Sequence, residues 1–149
     1  MISDSEMYHG AVIRNLIVGV RNSLNIQADD DCGQINTYRL NGDVGIHIKH
    51  STSRLPPWQF TYLGDHIDEI ERLAERCRQI WLIHICGQNG AAVISLEEFF
   101  SINPVDVDTT RFVRVDCGRN TMYRVNGTGA RLPRATKRGL QRIIDSLDN

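Results

Sequence analysis

No apolar run in this chain approaches the roughly 20 residues of a membrane-spanning helix. The opening Met-Ile-Ser-Asp-Ser-Glu is acidic and has neither the basic nor the apolar region of a secretory signal. A cytosolic location and no membrane partner are therefore expected. Cysteine is sparse, and Cys32, Cys77, Cys86 and Cys117 form no metal-ligand spacing, so reduced and mostly buried thiols are expected. Lysine is scarcer still, with Lys49 and Lys137 standing against fifteen arginines. The chain has no internal repeat, no low-complexity linker and no complete catalytic or cofactor motif.

What is present suits a globular protein. With 149 residues, 41% hydrophobic and 23% charged, the composition is that of a domain able to bury about 70% of its unfolded surface. We expect a single domain over 1–149, with a core over 1–103 and a basic hairpin and helix over 104–149 packed on it. Charge is unevenly placed. Residues 111–149 carry nine basic side chains against three acids, and the first 110 carry eight against fifteen. A basic end on an acidic chain points to an anionic partner, nucleic acid first, or to a complementary face on another subunit.

Taken in order, Ser3-x-x-Glu6 has capping-box spacing and opens a helix. Its apolar stripe is read as Ile13, Leu16, Ile17, Val20 and Leu24. Residues 27–34 read as a polar loop, in which Asp29, Asp30 and Asp31 either hold a metal or face solvent. Residues 35–40 form a strand, and Asn41-Gly42 turns the chain into a second strand from Val44. Trp58–Leu63 is a third strand. A helix from Asp65 buries Ile67, Ile70, Leu73, Ala74 and Cys77, and shows Asp68, Glu69, Glu71, Arg72, Glu75 and Arg76 to solvent. Gln79–Cys86 is nearly all apolar, as in a strand covered on both faces, so His84 within it reads as a hydrogen-bonded core histidine. Asn89-Gly90 leads into a return strand, Ser95-x-x-Glu98 caps a short helix, and 111–117 pairs with 121–125 as a hairpin. A last helix is expected over 135–147. The fold class is α/β (α+β), with a mixed central sheet flanked by helices.

The chemistry is densest between Val44 and Tyr62. Strand alternation sends Ile46 and Ile48 to one face and Gly45, His47 and Lys49 to the other. That second face is read as solvated. The connector His50-Ser-Thr-Ser-Arg-Leu-Pro-Pro-Trp58 is stiffened by its prolines and offers Arg54 as a phosphate fork. Trp58 is read either as a stacking platform or as a cap on the core edge.

Two resemblances attach to these residues. The pattern Ile48-Lys49, Arg54-Leu-x-Pro-Trp58-x-Phe60-Thr61, followed by Ile85-Cys86-Gly87, resembles a family of short, functionally uncharacterised bacterial proteins and implies no activity. The element order αβββαβ and the lysine resemble the PD-(D/E)xK nuclease-like fold, in which a helix glutamate, a strand aspartate and an acid-x-Lys pair bind magnesium and activate water. The resemblance puts Lys49 in the lysine position, His47 where the acid stands, Glu6 as the helix carboxylate, and Asp43 or one of Asp29–Asp31 as the aspartate. That is a degenerate catalytic site, with magnesium as the cofactor if it is active at all.

The expected function is accordingly a nuclease-like domain that binds nucleic acid. Lys49, His50, Arg54, Arg119, Arg124, Arg131 and Arg134 would meet phosphates, and Trp58 would stack on a base. The alternatives are a protein-interaction or accessory module, including a homodimer, and an enzyme acting on a small phosphorylated ligand through His47, His50 and the hydroxyls of Ser51–Ser53.

Overall fold

The computed structural model describes residues 1–29, 35–104, 110–118 and 122–148. Among the described residues four helices and eight strands follow in chain order: α1 (Asp4–Gly19), β1 (Ile26–Ala28), β2 (Thr37–Leu40), β3 (Val44–Ser51), β4 (Trp58–Tyr62), α2 (Gly64–Ala74), β5 (Gln79–Cys86), β6 (Gly90–Ser95), α3 (Leu96–Ile102), β7 (Arg111–Cys117), β8 (Tyr123–Gly127) and α4 (Gln141–Asp148). The mixed α/β architecture is as expected. No helix among the described residues is long and apolar enough to cross a membrane.

The strands form two sheets. A five-stranded sheet runs β1-β2-β3-β5-β6, and a three-stranded sheet runs β4-β7-β8. In the larger sheet β3 and β5 are parallel and the other pairs antiparallel. The strand β4, expected as the third strand of a single sheet, thus lies outside the central sheet. It pairs instead with β7, Trp58 opposite Val115.

Local chemistry explains the starts and turns. Both Ser-x-x-Glu boxes close, with the Glu6 and Glu98 N–H groups each donating to their serine hydroxyl at 3.1 Å. Asn41 and Gly42 take positive φ values of 51° and 81° in the three-residue connection between Leu40 and its partner Val44.

The central sheet is covered on both faces. Val44, Ile46 and Ile48 of β3, with Trp81, Ile83 and Ile85 of β5, face α1 and α4. Ile80, Leu82 and Cys86 of β5 face α2, α3 and the small sheet. The β3 face carrying Gly45, His47 and Lys49 is therefore not solvated, because α2 and the small sheet lie over it. Gly45 is needed there, since an added Cβ would lie 2.7 Å from both Leu73 and Ile80 side-chain atoms.

Three other local expectations are corrected. The helix α1 buries Val12 and Leu16, while Ile17 is 60% exposed. Apolar residues surround this helix, and the side that docks is the one where Gly19 admits Ile144 of α4 and His9 reaches Tyr38. Part of the polar loop after α1 pairs as β1, Gln27 opposite Arg39. The last helix starts at Gln141, because Thr136 instead exchanges backbone hydrogen bonds with Tyr123 at 2.7 and 2.8 Å. In the C-terminal segment β7 pairs with β4, and α4 packs against α1. Of the cysteines, Cys86 is buried, Cys77 and Cys117 are half-buried, and Cys32 lies outside the described residues.

Candidate functional site

All five histidines of the chain gather on one side of the molecule. His47 lies within electrostatic reach of His9, His66 and His84, and His9 within reach of His50. They come from four elements, His9 from α1, His47 and His50 from β3, His66 from α2 and His84 from β5. Parallel pairing sets Lys49 opposite His84 and His47 opposite Leu82 on neighbouring strands. The inward alternation of β4 lowers Trp58, Phe60 and Tyr62 onto this layer. The first turn of α2 adds His66.

Part of the layer is closed on itself. His84 donates Nδ1–H to the Ala92 carbonyl at 3.1 Å and accepts the Tyr62 hydroxyl on Nε2 at 2.6 Å. The carbonyl can only accept, which fixes the tautomer. Burial lowers His84 to a pKa of about 3 and raises Tyr62 well above its ordinary value. His84 is thus the hydrogen-bonded core histidine that its apolar strand suggests.

The neighbouring part is open. The Lys49 ammonium donates to His66 Nδ1 at 3.2 Å and lies 4.7 Å over the Tyr62 ring. His66 Nδ1 also accepts the Leu63 N–H at 3.1 Å, which anchors it at the start of α2. Burial lowers Lys49 to a pKa of about 8, against the opposing pull of Glu69. Burial and then Lys49 lower His66, and burial raises Glu69, whose carboxylate meets the Thr37 hydroxyl at 3.5 Å. His47 is 1% exposed, yet neither ring nitrogen has a hydrogen-bond partner among the described residues. Burial first, then Lys49 and the other histidines, hold its pKa well below the usual value.

His47, Lys49 and His50 line a pocket of about 260 Å³ together with Ser5, Asn36, Gln59 and Thr61. A groove of about 750 Å³ along α1 shares Ser5, Asn36 and His50 with it and adds Glu6, His9 and Tyr38. A third cavity, about 700 Å³ between α1, α4 and the β5–β6 turn, is mostly apolar, with Arg138 and Tyr8 as its ionisable members.

The nuclease-type carboxylates do not join this pocket. Asp43 sits at the opposite end of β3, about 20 Å away at ~3.3 Å per strand residue, and pairs with Arg78 at 2.8 Å. The Glu6 carboxylate closes the helix cap on the Ser3 backbone N–H and hydroxyl at 3.3 and 3.1 Å. No group of three or more His, Cys, Asp or Glu side chains among the described residues is placed to hold a metal. The donors around Lys49 therefore do not fit a magnesium ion. Asp29 pairs with Arg76 at 2.6 Å, and Asp30 and Asp31 lie outside the described residues.

The phosphate-contact candidates divide. Trp58 is not a stacking platform: it is 1% exposed, its indole N–H donates to the Ser53 carbonyl at 2.9 Å, and its ring meets Tyr123 edge-on. Arg54 is exposed on the β3–β4 connector. Arg124 and Arg131 are exposed on the small sheet's side. Arg134 lies apart, in a cleft beside Arg138, Arg142, Glu98 and Asp145. Arg119 is outside the described residues.

Three site residues escaped the sequence reading. Tyr62 carried a signal, since a tyrosine on the inward face of a strand needs a partner for its hydroxyl. His66 and Glu69 carried none, because helical spacing placed Glu69 on the solvated face. The chain matches no protein-family model, no curated protein and no solved structure, so its function is argued from geometry.

Proposed function

We propose that the chain binds nucleic acid across the outer face of the small sheet. One observation carries this reading, a row of side chains that crosses all three strands. Gln59 of β4 stands opposite Arg114 of β7, and Arg114 opposite Asn126 of β8. Arg131 extends the row, bridged to Asn126 and donating Nε–H to its side-chain oxygen at 2.9 Å. Arg124 adds a further exposed cation one row away, opposite Asp116. An antiparallel sheet with cations and amides on its open side suits an extended, negatively charged strand. Gln59 and Thr61 belong both to this face and to the pocket of Lys49 and His50, so the two surfaces are continuous. The reading is binding without magnesium-dependent cleavage, because Asp43 and Glu6 are engaged elsewhere.

The test is a fluorescence-anisotropy titration of single-stranded DNA and RNA across a salt series. Three arginine–phosphate contacts give a slope of log affinity against log salt of about −2 for a single strand. Arg114→Ala, Arg124→Ala and Arg131→Ala should each flatten it by about 0.7. A salt-independent interaction, or a slope untouched by all three substitutions, refutes the reading.

One observation favours a protein partner or a second copy of the chain instead. Met7, Ile17 and Val18 of α1 are 54%, 60% and 69% exposed. Light scattering on the wild type and on Val18→Glu distinguishes the two: a dimer lost in the variant supports association through α1.

A further inference from the structure

We infer that the pocket between β3, β4 and the start of α1 binds a phosphomonoester group, and that the adjoining groove along α1 receives the rest of the molecule. The inference stands independently of nucleic-acid binding on the sheet face.

The first ground is an incomplete hydrogen-bond inventory. His47 is buried, and both its ring nitrogens lack partners among the described residues while the ring lines the pocket. A neutral imidazole must present one N–H and one lone pair, and a buried donor left unmet costs roughly 1–3 kcal/mol. His84, equally buried in the same layer, has both nitrogens met. The difference points to a group that enters from the pocket.

The second ground is the character of the lining. The Lys49 ammonium, the Ser5 and Thr61 hydroxyls and the Asn36 and Gln59 amides can all donate, and no described lining residue is acidic. Ser5 lies in the first turn of α1, where the helix dipole favours negative charge and where Asp4 and Glu6 also stand. Of the acids nearby, Glu6 is engaged on the Ser3 cap and Glu69 on Thr37, and Asp4 is exposed to solvent. A site rich in donors and poor in acids selects an oxyanion over a cation or a neutral ligand.

The third ground is size. At about 260 Å³ the pocket falls below the ~300 Å³ at which sites for whole drug-sized ligands begin. It suits a phosphoryl group rather than a complete nucleotide. The groove of about 750 Å³ opens from it across Ser5, Asn36 and His50, and Ile13, Ile35 and Tyr38 there give a substituent apolar and aromatic surface.

The phosphomonoester could be a free metabolite or the 5′-phosphate of a nucleic acid, and the experiment separates them. Inorganic phosphate is titrated into the full chain, with calorimetry for affinity and ¹⁵N shifts of the histidine rings for location. Saturable binding that moves the His47 ring nitrogens is expected, with a loss of at least about tenfold in Lys49→Met. Phosphate that leaves the His47 resonances in place overturns the inference, as does wild-type affinity in a folded Lys49→Met. If that variant does not fold, the wild-type ring shifts decide alone. With phosphate bound at His47, tighter binding of a 5′-phosphorylated oligonucleotide than of its 5′-hydroxyl form assigns a strand end, and equal binding assigns a free phosphomonoester. No part of this test requires the arginine face to bind, so failure of one proposal leaves the other standing.

Discussion

Lowering the pH from about 8 to about 5 should weaken the fold through His84, by an amount the structure allows one to work out. Burial, helped by the nearby Lys49 charge, lowers His84 from 6.5 to about 3, against the opposing pull of the Ala92 carbonyl that its Nδ1–H meets. In the unfolded chain the ring takes a proton as the pH falls through 6.5, whereas in the folded chain it does not until about 3. The unfolded state therefore binds more protons across that window, and stability present above 6.5 is lost as the pH falls. At about pH 5 the loss is roughly 1.5 pH units at 1.36 kcal/mol each, about 2 kcal/mol from His84 alone. His47, His9 and His66 are shifted in the same direction and deepen the loss, while Glu69, raised by burial, titrates with the opposite sign and offsets part of it. Urea denaturation of the wild type and of His84→Gln at both pH values isolates the one group. The difference between their pH dependences should be about 2 kcal/mol whatever the variant costs outright. Equal pH dependence in the two proteins would show that His84 protonates freely in the folded state, which refutes the closed Tyr62–His84–Ala92 arrangement.

Three further outcomes follow from the same layer. Trp58→Ala should cost about 3–5 kcal/mol in urea denaturation, as for any large core aromatic, and nucleic-acid affinity measured well below the variant's melting temperature should stay at the wild-type level. Gly45→Ala should destabilise by about 1–3 kcal/mol through overpacking against Leu73 and Ile80, and a neutral result would mean that α2 sits further from the sheet. Lys49→Met should stabilise the fold near neutral pH, because a lysine lowered to about 8 disfavours folding while charged in both states. In the wild type this cost should ease as the pH rises from about 8 towards 10.5, and thermal unfolding across that range should show the rise flattened in the variant.

The parts of the fold legible in the sequence are those set by local rules. Ser3 and Ser95 announced their helices, Asn41-Gly42 and Asn89-Gly90 their turns, and the nearly all-apolar run of β5 its place inside the sheet. The rest was decided between elements. Alternation in β4 marks a half-buried strand but not which sheet it joins, and it went to β7, far along the chain. Helical spacing in α1 was read as one stripe over Ile13, Leu16, Ile17, Val20 and Leu24, whereas the side that docks carries Val12 and Leu16, with Gly19 against Ile144. The 135–140 stretch has helical composition, yet Thr136 completes a bridge to Tyr123. In each case a long-range partner outweighed a local preference of comparable size.

The same reasoning separates structure from function inside the histidine layer. From sequence, His47 and His84 look alike: each sits on a strand between apolar neighbours, and His47 even seemed the more exposed. Folding buries both to a similar degree, so burial cannot tell them apart. Their hydrogen bonds can. His84 is fully met by Tyr62 and Ala92, and replacing such a closed set by apolar groups of the same shape costs little beyond packing. His47 is buried without partners among the described residues, beside a lysine whose charge the fold disfavours. Two unfavourable choices next to each other, both facing one pocket, are what a site kept for a ligand requires: an anion bound there would meet the Lys49 charge and offer the His47 N–H an acceptor.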